Sequence, residues 1–454
     1  LASVLVLIVG IAVVGLIRPG PVREWLGAEG SPEPTVVPPT VEPVPTPVLV
    51  AASAGGVAPS SAKVKAALDP LVKSSSIGST VHVSVVDVAS GDVLYARNAD
   101  VPTTPASTTK LLTAAAVLSA RGPAHRISTR VVAGSVPGEV VLVGGGDPTL
   151  SVNGKALFPG AARLDQLAAQ VKKSLGGTEP TRVLVDTSLF SGPETAKGWS
   201  PDDISFGQVS RIQALMTNGG RVKPIHNEFG GDPRSGDPAI AAGKAFAKLL
   251  SAPQSTVRRG KAPAAATELG VVQSPPMVQL SDWMLEESDN TVAELLGRQV
   301  ALARKRPATF GGTTDAIVGQ LKDLGLGTAD LDLSDASGLS RNNAISPELL
   351  TRLLGLAASG EQPALSGIFG GLPVAGWSGT MEKRFKSPKP NQVGQGVVRA
   401  KTGTLSGVNT MAGQLITEDG RLLVFAVMAK GSPNAVTGKA AVDKVPARLV
   451  SCGC

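Results

Sequence analysis

The chain has 454 residues, 42% of them apolar and 17% charged, which is enough to bury the cores of two or three ordinary domains and too apolar for a disordered chain. Its three histidines, His82, His125 and His226, are scattered and its two cysteines, Cys452 and Cys454, close the sequence, so no metal-ligand spacing, internal disulfide framework or buried catalytic thiol is expected. A formal net charge of +7 without a basic run, and 3% aromatics, argue against nucleic-acid binding by base stacking.

Residues 1–17, LASVLVLIVGIAVVGLI, carry no charge. As a helix they would span roughly 26 Å, close to the hydrocarbon thickness of a bilayer. Arg18 and Arg23 follow without an immediate small-x-small cleavage site, so an uncleaved transmembrane anchor is expected in preference to a signal segment. Residues 18–59 read as a linker, with seven prolines between 31 and 48 that keep it extended. Such a layout is that of a body held away from a membrane, although Arg18 and Arg23 taken alone would pull their flank toward the cytoplasm.

The globular part begins near Ser60 with a short helix, KVKAALDPLVK (63–73). VHVSVVDVASGDVLYARNAD (81–100) alternates as a hairpin turning at Ser90-Gly91-Asp92. In PASTTKLLTAAAVLSARG (105–122), Leu111, Leu112, Ala115 and Leu118 predict a buried helix with Ser107 in its first turn and Gly122 at its end. Between 128 and 271, strand patterns (RVVAGSVPGEVVLVGGG, TRVLVDTSLFSG) flank an amphipathic helix (ARLDQLAAQVKKSLGG). MVQLSDWMLEESDN and NTVAELLGRQVALARK predict a helix pair, and GVNTMAGQLITEDGRLLVFAVMAKG a second hairpin turning at Glu418-Asp419-Gly420. Early and late strands then pair in one antiparallel sheet flanked by helices. This predicts an α+β domain made of 60–127 and 272–454, interrupted by an inserted mixed α/β domain at 128–271.

Three short motifs can carry chemistry. Ser107-Thr-Thr-Lys110 puts a hydroxyl and an amine on one helix face, where a neutral amine can take the serine proton. Burial and the helix N-terminus both favour the neutral amine. The pattern is common, and Ser60-Ser-Ala-Lys63 repeats it beside the linker. Ser288-Asp-Asn290 offers a proton-relaying hydroxyl and an amide for a substrate carbonyl, although S-x-N also occurs at Ser151 and Ser340, and such residues ordinarily mark helix boundaries. Lys401-Thr-Gly-Thr404 combines a cation and two hydroxyls suited to a carboxylate with Gly403, which lets a ligand backbone lie against a strand edge.

In this order the three motifs match the set found in penicillin-recognising serine acyl-transferases. Residues 60–450 resemble the low-molecular-mass penicillin-binding proteins of the D-alanyl-D-alanine carboxypeptidase/endopeptidase family, the DacB-like group of serine peptidase family S13. LVGGGDPTL (142–150), WSPDDISFGQVSRIQALMTNGG (199–220), SDASGLSRNNAIS (334–346) and VRAKTGTLSGVNTMAG (398–413) add to that resemblance. It implies a penicillin-binding-protein/β-lactamase-like transpeptidase fold, peptidoglycan stem peptides as substrate, β-lactams as covalent inhibitors, and no cofactor or metal. It further implies that Ser107 attacks the penultimate D-alanine carbonyl, with Lys110 as base and Ser288 as relay to the leaving amine. Asn290 would hold the peptide, and Lys401, Thr402 and Thr404 the terminal carboxylate, with Gly403 between them. The oxyanion hole would be the N–H groups of Ser107 and Thr404. Asp147 and Arg341 occupy stretches that in relatives grip the diamino acid of the stem peptide. Ser107 and Ser288 are 181 positions apart, leaving room for one full insert where many relatives nest two.

A class A β-lactamase shares the motifs but has a much shorter first interval and an E-x-x-L-N loop that is missing here. A Ser-His-Asp hydrolase is weaker still, since there is no G-x-S-x-G. The remaining alternative, a non-catalytic wall-binding or sensor protein, has no reason to keep Lys110, Ser288, Asn290 and Lys401 together.

Overall fold

A computed structural model describes residues 58–227 and 230–452. The expected anchor at 1–17 and the linker through residue 57 lie outside them. Among the described residues no helix is long and apolar enough to cross a membrane.

Helix α1 (Ser61–Val72) buries Val64, Leu68 and Val72, one every fourth residue. Strands β1 (Thr80–Asp87) and β2 (Val93–Arg97) form the first hairpin. A 3₁₀ turn, Ala106–Thr108, leads into α2 (Thr109–Arg121), in which every residue from Thr109 to Leu118 is buried. A helix that is buried all round must be central. Ser107 therefore sits in the tight turn that precedes the α-helix, not in its first α-turn.

Next come β3 (Ser128–Ala133), β4 (Glu139–Val143), α3 (Leu164–Ser174), β5 (Arg182–Asp186), α4 (Pro238–Leu249), β6 (Arg258–Arg259) and β7 (Glu268–Gln273). Helices α5 (Met277–Glu286), α6 (Asn290–Ala303), α7 (Phe310–Asp323) and α8 (Pro347–Ser359) follow, with the single turn α9 (Gly367–Gly370). Strands β8 (Arg399–Leu405), β9 (Val408–Ile416) and β10 (Leu422–Lys430) and helix α10 (Ala435–Val450) complete the chain.

Among the described residues two five-stranded sheets result, ordered β2-β1-β10-β9-β8 and β6-β5-β4-β3-β7. In the first every pairing is antiparallel, and the chain's early hairpin joins its last one where β1 meets β10, with Val83 opposite Val427. Side chains alternate across β10 as a pleated strand requires. Val424, Ala426 and Met428 enter the core built by α2, α5, α6, α7 and α8, whereas Leu423, Phe425 and Val427 enter the core shared with α1 and α10. The second sheet is mixed: β4 and β5, like β5 and β6, run parallel, and the other pairs are antiparallel. It packs with α3 and α4 around its own apolar core. All its strands lie between residues 128 and 273. The fold is thus α+β, with the K-T-G strand β8 at the edge of the antiparallel sheet.

Candidate active site

Lys110 is fully buried on α2 and its amine touches three oxygens: Ser107 Oγ at 3.0 Å, Asn290 Oδ1 at 2.6 Å and the Ser337 carbonyl at 2.7 Å. Two of these can only accept. A neutral amine would spend its two N–H groups on Asn290 and Ser337, and its lone pair would then face the Ser107 hydroxyl. Burial lowers the Lys110 amine to about 8, against the opposing charges of Asp335, Glu294 and Asp289. Asn290 is fixed at its other end too, since its Nδ2 donates to the Gln208 carbonyl at 3.0 Å. It opens α6, whose N-cap is Asp289, accepting from Val292 N–H at 3.0 Å.

Backbone strain sits at two points of this cluster. Ala106, immediately before Ser107, has φ 49°, and Ser288 has φ 57°. Both are non-glycine residues in the left-handed region, which costs of order 1–3 kcal/mol and persists only where the surroundings enforce it. The Ala106 carbonyl packs closely on Gly338: a Cβ on that glycine would lie 1.9 Å from the Ala106 carbonyl oxygen. Ser288 is half-buried and lines a small hollow with Gln208, Arg221, His226 and Asn290.

Strand β8 brings the third motif against the nucleophile turn. A Cβ on Gly403 would be 2.2 Å from Thr410 Oγ1 and 2.9 Å from both Pro105 O and Ser107 N, so only glycine lets this strand approach so closely. Lys401 is fully buried and donates to the Thr402 carbonyl at 2.9 Å. Burial pushes its amine well below the ordinary lysine range; the Lys110 charge pushes the same way and Glu287 opposes. The Thr402 hydroxyl pairs with Thr380 Oγ1 at 2.8 Å, and Thr404 is exposed on the strand. Arg341 is exposed and donates to the Ser406 carbonyl at 3.0 Å, in the turn just beyond β8. Asp147 keeps to its own loop, accepting from Thr149 N–H at 2.8 Å and Thr149 Oγ1 at 2.6 Å. Its second oxygen is buried without a hydrogen-bond partner, and burial raises its carboxyl to about 6, with Thr149 opposing.

Several members of this site carry no sequence signal. The Ser337 carbonyl and the Gln208 carbonyl act through backbone, so residue type does not mark them. Glu294 and Asp335 behind Lys110, and Thr380 beside Thr402, belong to no motif. The stretch 334–346 was conspicuous as a whole, yet only Arg341 in it suggested a role.

Comparisons with known proteins bear on the family and the fold. Residues 64–235 and 226–449 match the model of the D-Ala-D-Ala carboxypeptidase 3 (S13) family. A carboxypeptidase of Mycobacterium tuberculosis is 41% identical over 430 residues, covering 93% of this chain and 90% of that protein. Carboxypeptidase DacB of Mycolicibacterium smegmatis is 40% identical over 375 residues, covering 82% of this chain and 80% of its own length. In fold, penicillin-binding protein 4 (DacB) of Haemophilus influenzae superposes with a TM-score of 0.68 at 23% identity, over 85% of this chain and 98% of that one. On the extent of these matches, the chain belongs to the S13 family of D-Ala-D-Ala carboxypeptidases.

Proposed function

We propose that the D-Ala-D-Ala carboxypeptidase activity of this chain runs through a Ser107 acyl-enzyme formed on peptidoglycan stem peptides. The observation that carries this reading is the Lys110 amine, held by two acceptor-only oxygens so that its remaining position faces Ser107 Oγ. Lys110 takes the Ser107 proton as Oγ bonds to the penultimate D-alanine carbonyl carbon. The N–H groups of Ser107 and Thr404 receive the oxyanion, consistent with the close approach of β8 to Ser107 N. Collapse breaks the C–N bond, and the proton returns to the leaving D-alanine amine through Lys110 and Ser288. Water then attacks the ester with Lys110 again as base, freeing Ser107. Lys401, Thr402 and Thr404 hold the terminal carboxylate along the free edge of β8. Asn290 secures the lysine and offers its remaining N–H to the peptide. Asp147 and Arg341 are assigned to the diamino acid of the stem: Asp147 has an oxygen left over for an ammonium, and Arg341 stands at the end of β8.

The same acyl-enzyme serves DD-endopeptidase cleavage when the leaving amine belongs to a cross-link, and β-lactams acylate Ser107 as substrate mimics. The insert expected at 128–271 extends by two residues to 128–273, where the last strand of the second sheet ends, and 60–127 with 274–454 form the catalytic domain, a division supported by the separate strand sets of the two sheets. Residues 1–17 anchor the protein outside the cytoplasmic membrane, as their uncharged run and the Pro-rich stretch behind it suggest.

A fluorescent penicillin tests the reading. Wild type should take one covalent label that Ser107→Ala abolishes, and Lys110→Ala should keep the fold and slow labelling by about 100-fold or more. A wild type that takes no label, or a label that survives Ser107→Ala, would refute it.

A further inference from the structure

Behind Lys110 lies a pair of buried acids that no step above uses. Glu294, on α6, is fully buried, and its Oε1 accepts from Ala336 N–H at 3.1 Å and Ser337 N–H at 2.9 Å. Asp335, also fully buried, accepts four N–H donors: Gly338 at 2.8 Å, Ser340 at 2.6 Å, Asn343 Nδ2 at 2.7 Å and Trp199 Nε1 at 2.8 Å. Thr113, three residues beyond Lys110 on α2, donates to the Ala336 carbonyl at 2.6 Å. The peptide joining Ala336 to Ser337 is therefore held at its oxygen by Thr113 and at its N–H by Glu294. The next peptide, joining Ser337 to Gly338, is held at its N–H by Asp335, and its oxygen is the one that meets Lys110. Neither peptide can rotate without giving up a buried hydrogen bond.

We infer that Glu294 and Asp335 are positioning residues for the Lys110 base, clamping the two peptides on either side of Ser337 so that its carbonyl takes one amine N–H and leaves the lone pair to Ser107. The inference rests on the proposed role of Lys110. The two acids also set the field at the amine. The groups facing Lys110 are Asp335, Glu294 and Asp289, which favour its charged form, and Lys401, which is of like charge. Glu294 itself faces Asp335, which disfavours its ionised form, and Arg298, which favours it; burial is the larger influence and raises its carboxyl to about 7. In its ionised form Glu294 holds the amine's proton more tightly.

Two substitutions separate aim from charge. Glu294→Gln keeps an oxygen for both N–H groups and removes the charge. Thr113→Val keeps the charge, preserves the shape and releases the Ala336 carbonyl. The rate of penicillin acylation is measured against pH for wild type, each variant and Lys110→Ala, with thermal unfolding as the check on folding. Glu294→Gln should move the alkaline rise of the rate to lower pH by about one unit. Thr113→Val should leave that midpoint in place and lower the plateau by roughly 10- to 100-fold. A purely structural role would lower the unfolding temperature and move neither quantity. A folded Thr113→Val with the wild-type plateau overturns the inference; if that variant does not fold, a Glu294→Gln with both the wild-type midpoint and the wild-type plateau overturns it instead. Failure of Lys110→Ala to slow acylation would strike the role of Lys110 itself, which distinguishes the two losses.

Discussion

At the scale of single residues, the proposed chemistry depends on an amine that is buried without being silenced. Taking Lys110 out of water favours its neutral form, and the surrounding acids stop the shift at about 8. An amine near that value is a usable base around neutral pH, yet keeps enough basicity to pull a serine proton. Because only the neutral form can accept that proton, acylation must rise as Lys110 loses its own. The rate of penicillin acylation in wild type should therefore climb tenfold per pH unit below a midpoint of about 8 and level off above it. A flat profile between pH 6 and 9 would remove Lys110 from the rate-determining proton transfer. Ser107, Lys110, Asn290 and Lys401 could be singled out in the sequence because the role proposed for each runs through a side chain of a distinctive type at a fixed spacing. The Ser337 carbonyl was not, because every residue has one and only the fold aims it. Glu294 was hidden for a different reason: on an apolar helix it reads as a solvated charge, and nothing local reveals that Ala336 and Ser337 come to rest on its carboxylate.

At the scale of elements, three segments far apart in sequence converge: β8 packs on the turn that carries Ser107, and Asn290 at the start of α6 reaches Lys110. The 3₁₀ turn carrying Ser107, the junction of α5 and α6, and the edge strand β8 are each short and locally unremarkable. Both hairpins were readable from their alternation and turn residues, because a pleated strand declares its two faces in sequence. The 3₁₀ start before α2 was not, since Ala106, with its positive φ, packs its carbonyl against the backbone of Gly338, more than two hundred positions away. Gly403 is the element-scale counterpart. An added methyl there would meet Thr410 Oγ1 at 2.2 Å and Ser107 N at 2.9 Å, so β8 would have to move off the nucleophile turn. Gly403→Ala should slow penicillin acylation by about 100-fold, the usual consequence of displacing reacting groups by around 1 Å. Circular dichroism should show the fold retained, because β8 lies at the sheet edge and its movement leaves the pairing of β1, β10 and β9 in place. Wild-type acylation in this variant would show that the strand is not in contact with the reacting centre.

At the scale of the molecule, the question is what the segment between the two halves of the antiparallel sheet does for the site. Arg221 lies in that segment and is almost completely buried. Its guanidinium donates from Nε to Asp232 at 2.9 Å and from Nη2 to Asp289 at 2.9 Å, and Asp289 is the middle residue of the Ser288-Asp289-Asn290 motif. Gln208, from the same segment, receives the Asn290 amide. The proposed insert is thus built into the wall of the site, which a count of residues between motifs could not reveal. Burial pushes the Asp289 carboxyl up, but the Arg221 and Arg234 charges and the Val292 N–H outweigh it and hold the group well below the usual carboxylate range. Arg221→Met strands that carboxylate in the interior. Loss of one partner of a buried pair costs about 3–5 kcal/mol, so denaturant unfolding at pH 7 should show a deficit of that size. A carboxyl depressed in the folded state stabilises the protein above its unfolded value of 3.8 and loses that contribution as pH falls toward its folded value. The deficit of Arg221→Met should accordingly shrink as pH falls toward 3, because the stranded Asp289 of the variant takes up a proton and is relieved of its buried charge while wild type keeps its ion pair, whose contribution relative to the unfolded chain fades below 3.8. A deficit that stays constant from pH 7 to pH 3 would mean that Arg221 contributes through packing alone, and that the motif keeps its place without the charge from the insert.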